Sequence, residues 1–290
     1  MDRINQRSIR RESLRAVYEV IARGGTVSRA QIAGETGYSL MTVGKMVDAL
    51  EAGGLIAQTK EAGQGTAGRR SSVCCPNPSC GMLVIRPDTT SAEVWDVTLR
   101  QRHRCVLPED IAADMLAPTA FVDAASAYDG ELRGTVCVAP ADFSPAEYGI
   151  RPDLLVTPEV ACAAANAYQF DAGLVFCLIV GGDVRGVVMR DGQPVRGTFG
   201  RAGDVGALCD PSKPLDLNLL HILEAVCRVL DPEAIHLQCA DSLYAGLTDL
   251  PGRLAERLEP PVLRVEAESG CPGAFYGGAL LMRERWLMDL

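Results

Sequence analysis

Residues 28–56 read SRAQIAGETGYSLMTVGKMVDALEAGGLI, and no other stretch limits the fold of this chain as tightly. Ser28 is a good N-cap for a short helix ending near Thr36, with Ile32 and Ala33 facing inward. Gly37 supplies a turn, Ser39 caps again, and a longer helix runs to Gly53-Gly54. Val43, Met46, Val47 and Leu50 share one face of it; Met41, Thr42, Gly44, Lys45 and Asp48 point the other way. A short helix, a tight turn and a longer helix form a helix-turn-helix. An earlier helix is expected from about Ser8 to Arg23, with Leu14, Val17, Tyr18 and Ile21 as its apolar stripe and Arg10, Arg11 and Arg15 beside it. LIAQTK (55–60) then reads as a strand, EAGQGTAG (61–68) as a turn and RRSSVCC (69–75) as a returning strand. The N-terminal module is therefore expected to be a winged helix-turn-helix covering residues 1–80.

In such units the start of the second helix meets base edges. Ser39, Leu40, Met41, Thr42 and Lys45 are the candidates there, with Arg29 opening the preceding helix. Ser and Thr can bond to several bases, Met41 can touch a thymine methyl, and Lys45 suits guanine or phosphate. Arg69 and Arg70 on the wing can reach phosphate or a minor groove. The plainer reading is a set of core helices with polar outer faces. Charge argues against it. Residues 1–86 carry 12 Lys+Arg against 7 Asp+Glu, whereas the remaining residues carry 16 against 30, inside a total of −9. A cationic head on an anionic trunk is the asymmetry of a nucleic-acid module joined to something else.

The opening MDRINQRSIRRES has no apolar segment, so no leader is expected. The longest apolar run, LVFCLIV (174–180), is far short of the ~20 residues a bilayer requires and reads as a buried strand. Eleven cysteines, mostly single and inside apolar runs, suit buried thiols in a reducing cytoplasm. Cys74, Cys75 and Cys80 lack a fourth ligand or a C-x-x-C spacing, and His103, His221 and His236 are scattered, so no metal site is expected.

From Gly81 the pattern changes. MLVIRP, SAEVWDVTLR and RHRCVLP read as a β-meander, followed by a helix at about 108–128 and a strand at 134–142. A helix at 158–170, strands within 173–197, a helix at 217–230, a strand at 234–240 and a last helix at 274–288 complete an α/β trunk with two sheets. The lobes are expected at about 81–160 and 161–290. Trp286, Leu287 and Met288 look exposed, fit either for a dimer interface or for packing on their own sheet.

The whole chain resembles regulators of the ROK family, which groups repressors and sugar kinases. The resemblance rests on the stretch 28–56, the hairpin ending GRRSSV, GQPVRGTFGRAGDVGAL (192–208), LDPEAIHL (230–237) and GAFYGGALL (273–281). It implies a winged helix joined to a trunk of actin-like ATPase (ribonuclease H-like) fold, acting as a homodimer on double-stranded DNA. The departures point away from kinase chemistry. Pro158-Glu159 stands where the kinases carry Asn-Asp, whose Asp is the base. Asp204-Val205-Gly206-Ala207 replaces their Glu-x-Gly-His, whose His binds zinc, and DPSKPLDLN follows Cys209 in place of further cysteines. The first phosphate turn would be Arg86-Pro87-Asp88-Thr89-Thr90, without glycine; the second, Gly181–Gly186, contains Asp183; Cys239-Ala240 replaces a Gly-Gly. The expectation is a transcriptional regulator, a repressor, with no catalytic residue, cofactor or metal. Glu159 and Asp204 remain as an effector cleft for a sugar-like molecule, or as remnants paired with Arg185 or Arg201. Two rivals stay open: a sugar kinase with Glu159 as an atypical base, and a DNA-binding dimer that takes no ligand.

Overall fold

Helix α1 (Asp2–Gly24) buries the expected stripe Leu14, Val17, Tyr18 and Ile21. It begins well before Ser8. A computed structural model describes residues 2–60, 72–105, 107–108, 110–170, 173–198, 201–270 and 273–290 of the chain. After a turn come β1 (Val27–Ser28), α2 (Arg29–Thr36), α3 (Leu40–Ala52), β2 (Ile56–Lys60) and β3 (Ser72–Pro76). The strands form one antiparallel sheet ordered β1-β3-β2. Local chemistry fixes the helix ends. Ser28 and Gln31 make a reciprocal capping box at the start of α2. Gly37 ends α2 at φ 71°, a conformation that glycine adopts without steric cost. Ser39 then caps α3 by accepting from the Thr42 backbone N–H at 3.2 Å.

The first trunk sheet has the order β6-β5-β4-β7-β8. β4 (Cys80–Arg86), β5 (Ser91–Asp96) and β6 (Gln101–Cys105) are the expected meander, and β7 (Glu131–Val138) returns parallel to β4 through α4 (Leu116–Ala127). α4 begins later than the 108 expected, which places Pro118 in its first turn, where a missing N–H costs nothing. β8 (Leu154–Val156) closes the edge.

The second sheet has the order β11-β10-β9-β12-β13. β9 (Leu174–Val180), β10 (Val184–Arg190) and β11 (Gln193–Pro194) are antiparallel; β12 (Ala234–Cys239) runs parallel to β9 and to β13 (Val262–Ala267). LVFCLIV is β9, with Val175–Leu178 and Val180 buried. The helices are α5 (Pro158–Ala167), α6 (Leu215–Leu230), α7 (Asp241–Leu247), α8 (Leu250–Ala255) and α9 (Ala274–Asp289). The alanines of α5 meet Gly277 of α9 so closely that a Cβ there would run into the Ala161 carbonyl. The sequence gives no strong cue for α7, α8 or β13: the helices are short, and β13 is only half-buried.

The chain forms two compact units. One contains residues 1–137, 144–154 and 282–290; the other contains 138–143 and 155–281. This grouping differs from the boundary near residue 80, because the helical head shares a core with the first sheet. Val97 and Leu287 are buried in the same apolar cluster as Leu14, Ile32, Val43 and Leu50, with Trp286 and Leu290 packed against it. Trp286, Leu287 and Met288 therefore do not form the exposed patch that the sequence suggests: Leu287 is buried and the other two are half-buried. The end of α9 supplies one wall of the head's core. Polar contacts fasten the same joint. Tyr18 Oη donates to the Val97 carbonyl at 2.6 Å, Arg283 lies over the Tyr18 ring, and the buried Arg283 and Glu284 side chains pair at 2.9 Å. Arg133 donates to the Gly53 carbonyl and Asn77 Nδ2 to that of Gly54 at 2.9 Å.

The ten described cysteines are all free thiols, and burial pushes Cys105 and Cys137 up to about 12. Among the described residues no helix is long and apolar enough to cross a membrane.

Candidate nucleic-acid interface

The inward face of α3 is closed: Val43, Val47 and Leu50 have no exposure. Its other face begins with two large apolar residues left in solvent, Leu40 at 61% and Met41 at 75% exposure. Lys45, one turn on, is also exposed. These three stand on a helix start that is rigidly capped. Thr42 is less free than its neighbours, because its hydroxyl lies 3.0 Å from Ser39 Oγ and its N–H is bonded to that same oxygen. The two hydroxyls first hold the cap, and any base contact would compete with or extend that bond.

Arg29 has a different setting from the rest of the set. Its guanidinium bonds to Asp48 of α3 at 2.7 Å and to Gln58 of β2 at 3.0 Å, clamping α2, α3 and the sheet together. Gly44 provides the passage, since a Cβ there would meet Arg29 Nη1 at 3.3 Å. Nothing in the spacing of Arg29, Asp48 and Gln58 reveals this clamp; it exists only once the three elements are packed. Arg69, Arg70 and the rest of the stretch expected to form the wing's tip lie outside the described residues.

The trunk positions singled out from the sequence fall as follows. The turn after β4 carries an ion pair, Arg86 to Asp88 at 2.6 Å. The turn between β9 and β10 carries another, Arg185 to Asp183 at 2.7 Å, with Gly181 and Gly182 open around it. Asp183, by hydrogen bond and by charge, pushes the Arg185 guanidinium further toward its charged form, and Glu159 and Asp204 act in the same direction. Arg185's direct partner is Asp183. Asp183, Arg185 and Asp204 line an open groove of about 650 Å³, together with Asp210, Lys213 and Asn218. Glu159 sits in the first turn of α5, behind the Thr157 cap, and is not part of that lining. The loop after Cys209 is held by an amide: Asn218 accepts from the Asp210 N–H at 2.8 Å and donates to the Asp210 and Lys213 carbonyls.

No family model and no curated protein matches this sequence. Solved structures do. A ROK family transcriptional regulator, described as a homolog of the E. coli MLC protein, superposes with a TM-score of 0.65 at 13% identity, over 97% of each chain. The chain has the fold of the ROK proteins. A ROK family protein from Streptococcus pneumoniae TIGR4, in complex with sucrose, matches with a TM-score of 0.53 at 14% identity, over 72% of this chain and 98% of that one. A putative N-acetylmannosamine kinase from Listeria monocytogenes matches with a TM-score of 0.50 at 13% identity, over 71% of this chain and 98% of that one.

Proposed function

We propose that this protein is a DNA-binding transcriptional regulator, a repressor that acts as a homodimer. Residues 1–80 would be its winged helix-turn-helix, and residues 81–290 a ROK-fold trunk without phosphoryl transfer, with lobes at about 81–160 and 161–290. The observation that carries this reading is the exposed start of α3. Leu40, Met41 and Lys45 stand in solvent at the N-terminus of a capped second helix, on the cationic part of an otherwise acidic chain. Burying apolar side chains would be the ordinary course for a core helix; presenting them beside a cation suits a major groove. Ser39 and Thr42 complete the proposed reading edge, Arg29 supports it from behind, and Arg69 and Arg70 are assigned to the wing.

Two copies would set two α3 helices on half-sites about 34–36 Å apart, or a multiple of that distance. In the trunk, Arg185 is salt-bridged to Asp183, with Asp204 beside it on the groove, in the manner of a site that has lost phosphate binding. The groove beside them suits a polyhydroxylated effector, which would have to bind one arrangement of the dimer better than another to regulate it. Selection of bound duplexes from a random pool tests the reading, with Lys45→Ala as the comparison. If Lys45 contacts phosphate, the variant weakens binding across all sequences; if it reads a base, one position relaxes. Failure of the native chain to retain any duplex at low salt would sink the proposal. Hexose-dependent ADP release abolished by Glu159→Gln would establish the kinase alternative in its place.

A further inference from the structure

β6 and α4 bring three ligand-type side chains to one spot that neither the head nor the groove uses. His103 and Cys105 are two residues apart on β6, so both face the same side of the sheet. α4 packs against that side and contributes Asp123. His103 Nε2 lies 2.9 Å from Asp123 Oδ2, and Cys105 Sγ contacts the Ala120 carbonyl at 3.6 Å, nearly one turn earlier on the same helix. One ligand atom from each of the three residues lies within 4.8 Å of the other two. Cys105 is 3% exposed, whereas the His103 and Asp123 side chains are 28% and 38% exposed. The set is closed beneath and open to solvent above.

We propose that His103, Cys105 and Asp123 bind a single thiophilic divalent cation of the zinc class. One nitrogen, one sulfur and one oxygen make a mixed set that suits zinc and its neighbours over magnesium or calcium, which prefer oxygen alone. Tetrahedral bonds of about 2.0–2.3 Å put ligand atoms roughly 3.3–3.7 Å apart, so these three need to move by only about an ångström. The scaffold is firm: β6 is paired to β5 through Val94↔His103 and Ala92↔Cys105. A thiolate and a carboxylate balance the charge of a divalent ion, and the neutral imidazole adds none. Binding through Nε2 leaves the neutral imidazole's one proton on Nδ1, and the Cys105 thiol proton is released to solvent. Three protein ligands leave a fourth position for water, on the open side. The site does not depend on what the head binds.

The test uses the full chain, stripped with a chelator and kept reduced, and titrated with cobalt(II). The expected result is a thiolate-to-cobalt charge-transfer band that saturates at one ion per chain and is bleached by zinc. Cys105→Ser should abolish the band, while His103→Asn and Asp123→Asn should each weaken cobalt affinity by at least about tenfold. Cys75→Ser should leave the band intact. Because Cys105 is buried, its variant needs a circular-dichroism melt; the two half-exposed positions decide the matter if it does not fold. Absence of a charge-transfer band at stoichiometric cobalt overturns the proposal, as does a band unchanged in both His103→Asn and Asp123→Asn.

Discussion

Single side chains here act mainly by fixing the ends and joints of elements. Ser39 is the clearest case, since its Oγ satisfies an N–H at the start of α3 that has no partner within the helix. Ser39→Ala should cost about 1 kcal/mol of stability in a urea titration, and should also weaken DNA binding by loosening Leu40 and Met41. His236 offers a second residue-scale test, in the second sheet. Its Nε2 lies 3.1 Å from Glu266 Oε2, yet burial outweighs that carboxylate and holds the imidazole below its ordinary 6.5. The folded chain thus keeps His236 neutral while the unfolded chain takes up a proton near 6.5. This residue's contribution to stability is present above that value and falls as the pH is lowered toward the folded-state pKa. Thermal midpoints should decline from about pH 7.5 to pH 5, and less steeply in His236→Gln.

At the scale of elements, the last turns of α9 matter more to the head than their position in the sequence suggests. Leu287 fills the apolar cluster made by α1, α2 and α3, so removing it leaves a cavity there. Leu287→Ala should destabilise the head and the first sheet together by about 2–5 kcal/mol, in one denaturant transition followed by circular dichroism. Separate transitions for the two would show that α9 is not the shared wall. The same logic explains the Arg29 clamp, where Arg29 comes from α2, Gly44 and Asp48 from α3, and Gln58 from β2. The caps and the α3 face could be read in advance because a helix end obeys local rules within four residues. The clamp could not be, because its partners are neighbours only after packing.

For the whole molecule, the proposed DNA-binding role predicts that the division of charge governs how it meets a duplex. Affinity should fall linearly with salt on logarithmic axes, by a slope of about −0.9 per phosphate contacted. Loss of a phosphate-contacting Lys45 should make that slope shallower by about one, as read by fluorescence anisotropy across a salt series. A dimeric trunk also predicts that a duplex with two half-sites is bound far more tightly than one with a single half-site, at concentrations where sedimentation gives a dimer.

The sequence alone determined the caps of α2 and α3, the apolar stripes of the head, the meander of the first sheet and the two-sheet trunk. Each of these depends on spacing along the chain, where hydrophobic periodicity and terminal hydrogen bonds act within a few residues. Only tertiary structure decided that the end of α9 walls the head, that Arg29 clamps α3 to β2, and that Asp123 meets His103 and Cys105. The partners on facing elements lie many residues apart, and nothing but the packing of one element against another brings them within reach.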